Sequence, residues 1–95
     1  MIRHIIMWRL VDASDQGKME AKKVLEGMRG KIPGMLSLEV GLNYNPKEIA
    51  YDICLMTTHA SAADQDVYQD HPEHLKVKAY MSKAAVARAM VDYEF

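Results

Sequence analysis

Apolar and polar residues alternate from the second residue of the chain. In Ile2-Arg3-His4-Ile5-Ile6-Met7-Trp8-Arg9-Leu10 the even positions read Ile, His, Ile, Trp and Leu, the odd ones Arg, Ile, Met and Arg. Successive side chains of a strand point to opposite faces, so this stretch predicts a strand with one apolar face and a second that is apolar only at its centre. The period then lengthens: Ala21, Val24, Leu25, Met28 and Ile32 recur at helical spacing. Asp12 or Ser14 is placed to cap that helix, Gly30 and Lys31 to end it, and Pro33-Gly34 to turn the chain. Alternation returns over Met35–Leu42, with Leu36, Leu38, Val40 and Leu42 expected inward. Residues 43–47 read as a loop and Ile49–Thr58 as a third strand. Ser61 caps a short helix over Ala62–Gln69, a further helix runs from about Pro72 to Ala85, and Ala87–Phe95 closes the chain as a strand.

The order β-α-β-β-α-β in a right-handed split arrangement defines an α+β, ferredoxin-like fold: one antiparallel sheet with the helices on one face. The other face stays open. Four strands about 4.8 Å apart and about 17–20 Å long leave roughly 350 Å² there. With Ile5 and Met7 on that face, and Met35, Cys54 and Met56 as expected neighbours, it is too apolar to stay wet. A homodimer closing sheet face against sheet face is the expected partner arrangement, the alternative being a monomer that leaves this face apolar and exposed.

Composition narrows the class. Ninety-five residues, 49% of them hydrophobic, fit one domain over residues 1–95. Twelve basic against thirteen acidic residues give no field that would draw in a nucleic acid or an anionic membrane, so neither is an expected partner. A lone cysteine, Cys54, rules out an internal disulfide and points to a reducing compartment. Residues 1–10 are too short for a spanning helix, and no small-residue cleavage site follows as in a signal peptide. The cytoplasm is the expected location.

Candidate chemistry concentrates in Tyr68-Gln69-Asp70-His71-Pro72-Glu73-His74. Pro72 fixes where a helix begins, so His74 falls in its first turn, where the positive end of the helix dipole disfavours imidazolium. A neutral imidazole accepts a proton, and a nearby phenol donates to a developing enolate. His4, on the inward face of the first strand, is the third polar group expected in the same pocket. Ile6 and Trp8 beside it, and His71 at the helix start, are the expected ligand contacts. The catalytic candidates are therefore His74, Tyr68 and His4. Each also admits a structural reading: His4 as a satisfied core histidine, Tyr68 as a packed helix residue with a wet hydroxyl, His71 as a turn or cap residue. His59 follows Thr57-Thr58 at a strand end and is expected to face solvent, and Asp92 with Tyr93 to serve the terminal strand. His71 and His74 straddle a helix start and no carboxylate or thiol completes a ligand set, so no metal is called for.

The opening strand, the His71-Pro72-Glu73-His74 segment with Tyr68 before it, and the closing Asp92-Tyr93 together resemble the stress-responsive α/β-barrel (Dabb) domains over nearly the whole chain. The resemblance implies a ferredoxin-like protomer and a homodimer whose two sheets form a barrel. Most members have no established activity, and the plant polyketide cyclases are the clearest enzymes among them. Those enzymes perform aldol closure with a His and a Tyr and use no metal or organic cofactor. Position by position, His4 corresponds to the pocket-lining strand His, Tyr68 to the Tyr before His-Pro, and His74 to the second His. Two function classes follow. One is cofactor-free cyclase, isomerase or lyase chemistry on a small carbonyl or aromatic, polyketide-like ligand. The other is a non-catalytic dimer that binds a small hydrophobic ligand or supports a stress response.

Overall fold

The computed structural model describes residues 1–95. Seven elements follow in the order β1 (Ile2–Leu10), α1 (Asp15–Glu26), β2 (Met35–Leu42), β3 (Ile53–His59), α2 (Ala62–Asp70), α3 (Pro72–Ala84) and β4 (Ala85–Glu94). The four strands form one antiparallel sheet in the order β2-β3-β1-β4, with the helices on one face. The first and last strands of the chain are thus neighbours, and β4 is an edge.

The phase read from β1 holds. Ile2, His4, Trp8 and Leu10 are buried against the helices, whereas Met7 on the opposite face is exposed. The layer between sheet and helices is filled by Trp8, Leu25, Met28, Leu55, Tyr68 and Met81, among others. Ser14 caps α1, its hydroxyl accepting from the Gly17 amide, and Ser61 caps α2 in the same way through the Asp64 amide. Each cap satisfies an amide that would otherwise lack a partner at the helix start.

Several details differ from expectation, among them three that shape the core; β4 also begins two residues early, at Ala85. Helix α1 stops at Glu26, and Met28 and Ile32 reach the core from the turns beyond it, so an apolar period persisted past the helix that it suggested. The pairing of β2 with β3 shifts between Met35 and Ser37. This irregularity puts Met35 against the core and leaves Leu36 exposed, the reverse of the strict alternation expected for both. Strand β3 begins at Ile53, not Ile49, which is exposed. Before it, Arg9 on β1 holds the connecting loop by donating to the carbonyls of Ala50 and Glu48.

Gly34 is required by the path of the chain. It lies before β2 with φ +79°, and a β-carbon there would lie 2.5 Å from the Asp64 carboxylate at the start of α2. Gly34→Ala therefore combines a left-handed backbone with a clash, and should cost about 1–3 kcal/mol. A urea titration should show a lower midpoint with an unchanged slope. An unchanged midpoint would mean that the turn has another conformation available.

Candidate functional site

The helix-facing side of the sheet is apolar along most of its length and polar at one end. Antiparallel register produces that end. His4 on β1 lies opposite Thr57 on β3 and Asp92 on β4, while His59 lies opposite Ile2, two residues from Thr57 and therefore on the same face. Directly opposed side chains are near enough to bond. The Asp92 carboxylate accepts a hydrogen bond from His4 Nδ1–H at 2.5 Å, and Thr57 Oγ1 lies 2.9 Å from His59 Nε2.

The helices bring the remaining groups. Tyr68 occupies the last turns of α2, and His71 ends that helix and caps the next, its Nδ1 accepting from the Glu73 amide at 3.1 Å. Pro72 opens α3 and His74 sits in its first turn. The His74 Nδ1 lies 3.0 Å from the Gln69 carbonyl, which can only accept, so this nitrogen carries the proton and Nε2 keeps a lone pair. The same logic applies to His4: with Nδ1–H on Asp92, Nε2 is the free nitrogen. Neither Nε2 has a protein partner.

Tyr68 lies at the centre of this cluster and is fully buried. Its ring centroid is 4.2 Å from that of His74, 4.9 Å from that of His59 and 5.8 Å from that of His4. The hydroxyl is buried with no hydrogen-bond partner. A buried hydroxyl without a partner costs about 1–3 kcal/mol, so its presence calls for a reason. Burial, and then the Asp92 charge, push the Tyr68 phenol far above its usual range, so it stays a protonated donor. Burial lowers the proton affinity of His74; the Gln69 carbonyl opposes this, and the charges on Lys78 and His4 add to it. His59 is lowered too, by burial first and His4 second.

A cavity of about 470 Å³ opens between α3 and the sheet, lined by His4, Ile6, Trp8, Tyr68 and His74 together with apolar residues of α3 and β4. Of the six residues singled out in the sequence, His71 does not line it: its ring is turned back to cap α3. His59 also departs from expectation. It is fully buried behind Tyr68, because it shares the inward phase of Leu55 and Thr57. Asp92, expected to serve only its strand, is the partner of His4. Its phase with Arg88 and Met90, together with the adjacency of β1 and β4 in this fold, is the signal that would have found it. No three His, Cys, Asp or Glu side chains are placed to hold a metal ion.

Fold and site together define a class, small ferredoxin-like α+β domains with a polar cluster under the sheet-facing helices. The profile of the stress responsive A/B barrel domain matches residues 2–95, and the chain belongs to that family. A dimeric ferredoxin-like protein of unknown function from Bacteroides fragilis is 32% identical, with 99% of this chain and 95% of that one covered at a TM-score of 0.83. A Dabb family protein from Mesorhizobium loti is 23% identical over 99% and 95% of the two chains, with a TM-score of 0.85. A hydroxynitrile lyase from Passiflora edulis shares the fold at 18% identity, covering 97% and 90%, with a TM-score of 0.81. No curated protein matches the chain.

The buried imidazoles fix the sign of a pH dependence. His59 and His74 bind protons less readily folded than unfolded, so the unfolded chain takes up more protons as pH falls below about 6.5. Their contribution is intact above that value and is lost as pH falls through their depressed folded values. The melting temperature should drop between pH 7.5 and 5.5, and His59→Leu should drop less over the same interval. Equal slopes for the two proteins would show that His59 is not held neutral by the fold.

Proposed function

We propose that the chain forms a homodimer through the open face of its sheet, and that each protomer's cavity binds a small carbonyl compound and moves a proton on it using His4, His74 and Tyr68. The observation that carries the chemical reading is the convergence of two imidazoles, each with its Nδ1 proton committed to an acceptor and its Nε2 lone pair free, on either side of a phenol with no partner. Such an arrangement suits the removal of an acidic C–H between two carbonyls. His4 is placed to act as the base, its Nδ1–H bonded to the Asp92 carboxylate and its Nε2 free toward the cavity. The C–H electron pair becomes the enolate double bond, the carbonyl π pair moves to oxygen, and the Tyr68 hydroxyl donates to that oxygen. His74, kept neutral by burial, offers a second acceptor to the ligand. A hydroxynitrile lyase of the same fold supports the view that this scaffold can carry an enzyme site.

One observation favours a second reading, in which the dimer binds a small hydrophobic ligand without transforming it. The Tyr68 hydroxyl is fully covered, so donation to a ligand requires the ring to shift. Deuterium exchange into pentane-2,4-dione, followed by proton NMR, decides between the two. The protein should accelerate exchange above buffer, and His4→Ala or Tyr68→Phe should each reduce the acceleration by about 10²-fold or more with the fold retained by circular dichroism. Binding without acceleration would establish the second reading.

The dimer rests on the face turned away from the helices. Ile5, Met7, Cys54, Met56, Ala89 and Val91 share it by register, and Met7 and Val91 are exposed in the protomer. A face of this kind is covered most economically by its own copy, and the Bacteroides fragilis relative is described as dimeric. Sedimentation equilibrium at micromolar concentration should give twice the chain mass, and Met7→Lys should give a folded monomer. A monomeric wild type would overturn the arrangement.

A further inference from the structure

The cavity has two regions. Its inner part is made by buried side chains, among them His4, Tyr68, His74 and Trp8, and its rim by exposed ones, Lys78, Ser82, Val86, Arg88 and Met90. Two cations stand at that rim, and no acidic side chain lines the cavity. Neither Lys78 nor Arg88 is in an ion pair; the ion pairs of the chain are His4 with Asp92, Arg29 with Glu26 and Lys76 with Glu73. Lys78 lies one helical turn beyond His74 on the same face of α3, and its charge is felt at that imidazole. Arg88 lies opposite Trp8 in the β1–β4 ladder, and His4 is four residues back along β1, so Arg88 stands about 13 Å along the sheet from the polar cluster. Between the two ends the wall is apolar: Ile6, Leu55, Val77 and Met81.

Resting on the carbonyl-ligand reading above, we infer that the ligand carries a carboxylate at the end remote from its reacting carbonyl, with an apolar body between, and that Arg88 holds that carboxylate at the cavity mouth while the Lys78 ammonium adds to the attraction from the α3 side. A guanidinium presents a planar pair of N–H donors that matches a carboxylate, and an ammonium adds an adaptable point charge. The polar cluster, the apolar wall and the cationic rim then each meet a complementary part of one molecule. A neutral diketone would leave both cations unused, and an acid with its charge next to the reacting carbon would draw the carboxylate down among buried side chains, away from the cations.

Trp8 is the only tryptophan of the chain and lines the cavity, so its fluorescence reports occupancy. The probes are 1-phenylbutane-1,3-dione, which is neutral, and 4-(3-oxobutanoyl)benzoate, in which the ring separates the dione from a carboxylate. The carboxylate should bind about three- to tenfold more tightly at low salt, with the preference shrinking as salt is added. Arg88→Gln and Lys78→Met together should abolish the preference while leaving the affinity for the neutral dione unchanged. Equal binding of the two probes, no binding of either, or a preference that survives both substitutions would overturn the assignment. Tighter binding of the corresponding para-phosphonate than of the carboxylate would reassign the rim to phosphoryl groups. Failure of the chemical reading is separable: a carboxylate preference without deuterium exchange removes the catalysis and keeps the rim, whereas exchange without the preference does the opposite.

Discussion

The packing of one phenol ring among three imidazoles sets the geometry of everything around the cavity. Tyr68 lies over His59 from β3, His4 from β1 and His74 from α3, so three elements are positioned against one side chain. Its ring supplies the apolar area that a small core needs, and its hydroxyl brings a polar atom into a place that offers no partner. The two effects oppose each other, and the ring area outweighs the hydroxyl. Aliphatic residues would fill the same volume at lower cost. Four polar side chains in so small a core conflict locally with its packing, and such conflicts are expected where a site is built.

The orientation of the imidazoles follows from their acceptors. Asp92 is fixed by strand register and the Gln69 carbonyl by the corner between α2 and α3, and both are committed to Nδ1. A histidine held through one ring nitrogen presents the other in a defined direction and tautomer, a requirement for proton transfer and for selective binding alike. His71 completes the corner by capping α3, so the Pro72 break serves the site by geometry even though the His71 ring stays out of the cavity.

Much of this was legible in the sequence. The period of two in β1 placed His4, Ile6 and Trp8 inward, and Pro72 placed His74 in a first helical turn, because both inferences rest on local covalent geometry. What escaped was cross-strand. His59 looked like a solvent-facing strand end because nothing local shows that α2 folds over it, and Asp92 looked ordinary because its partner lies 88 residues away. The irregularity at Leu36 is a further instance: β2 departs from alternation there, and the one glycine of the strand, Gly41, lies well beyond the shift.

The pairing of β1 with β4 has a kinetic consequence. His4 and Asp92 come from opposite ends of the chain, and a contact of such long range bears a large share of the loop-closure entropy of folding. Strand β4 also docks at an edge, with a neighbour on one side only. Much of the layer under α1 can therefore be buried before β4 docks. The orientation of His4 arrives only when β4 pairs with β1, whatever order the other elements dock in.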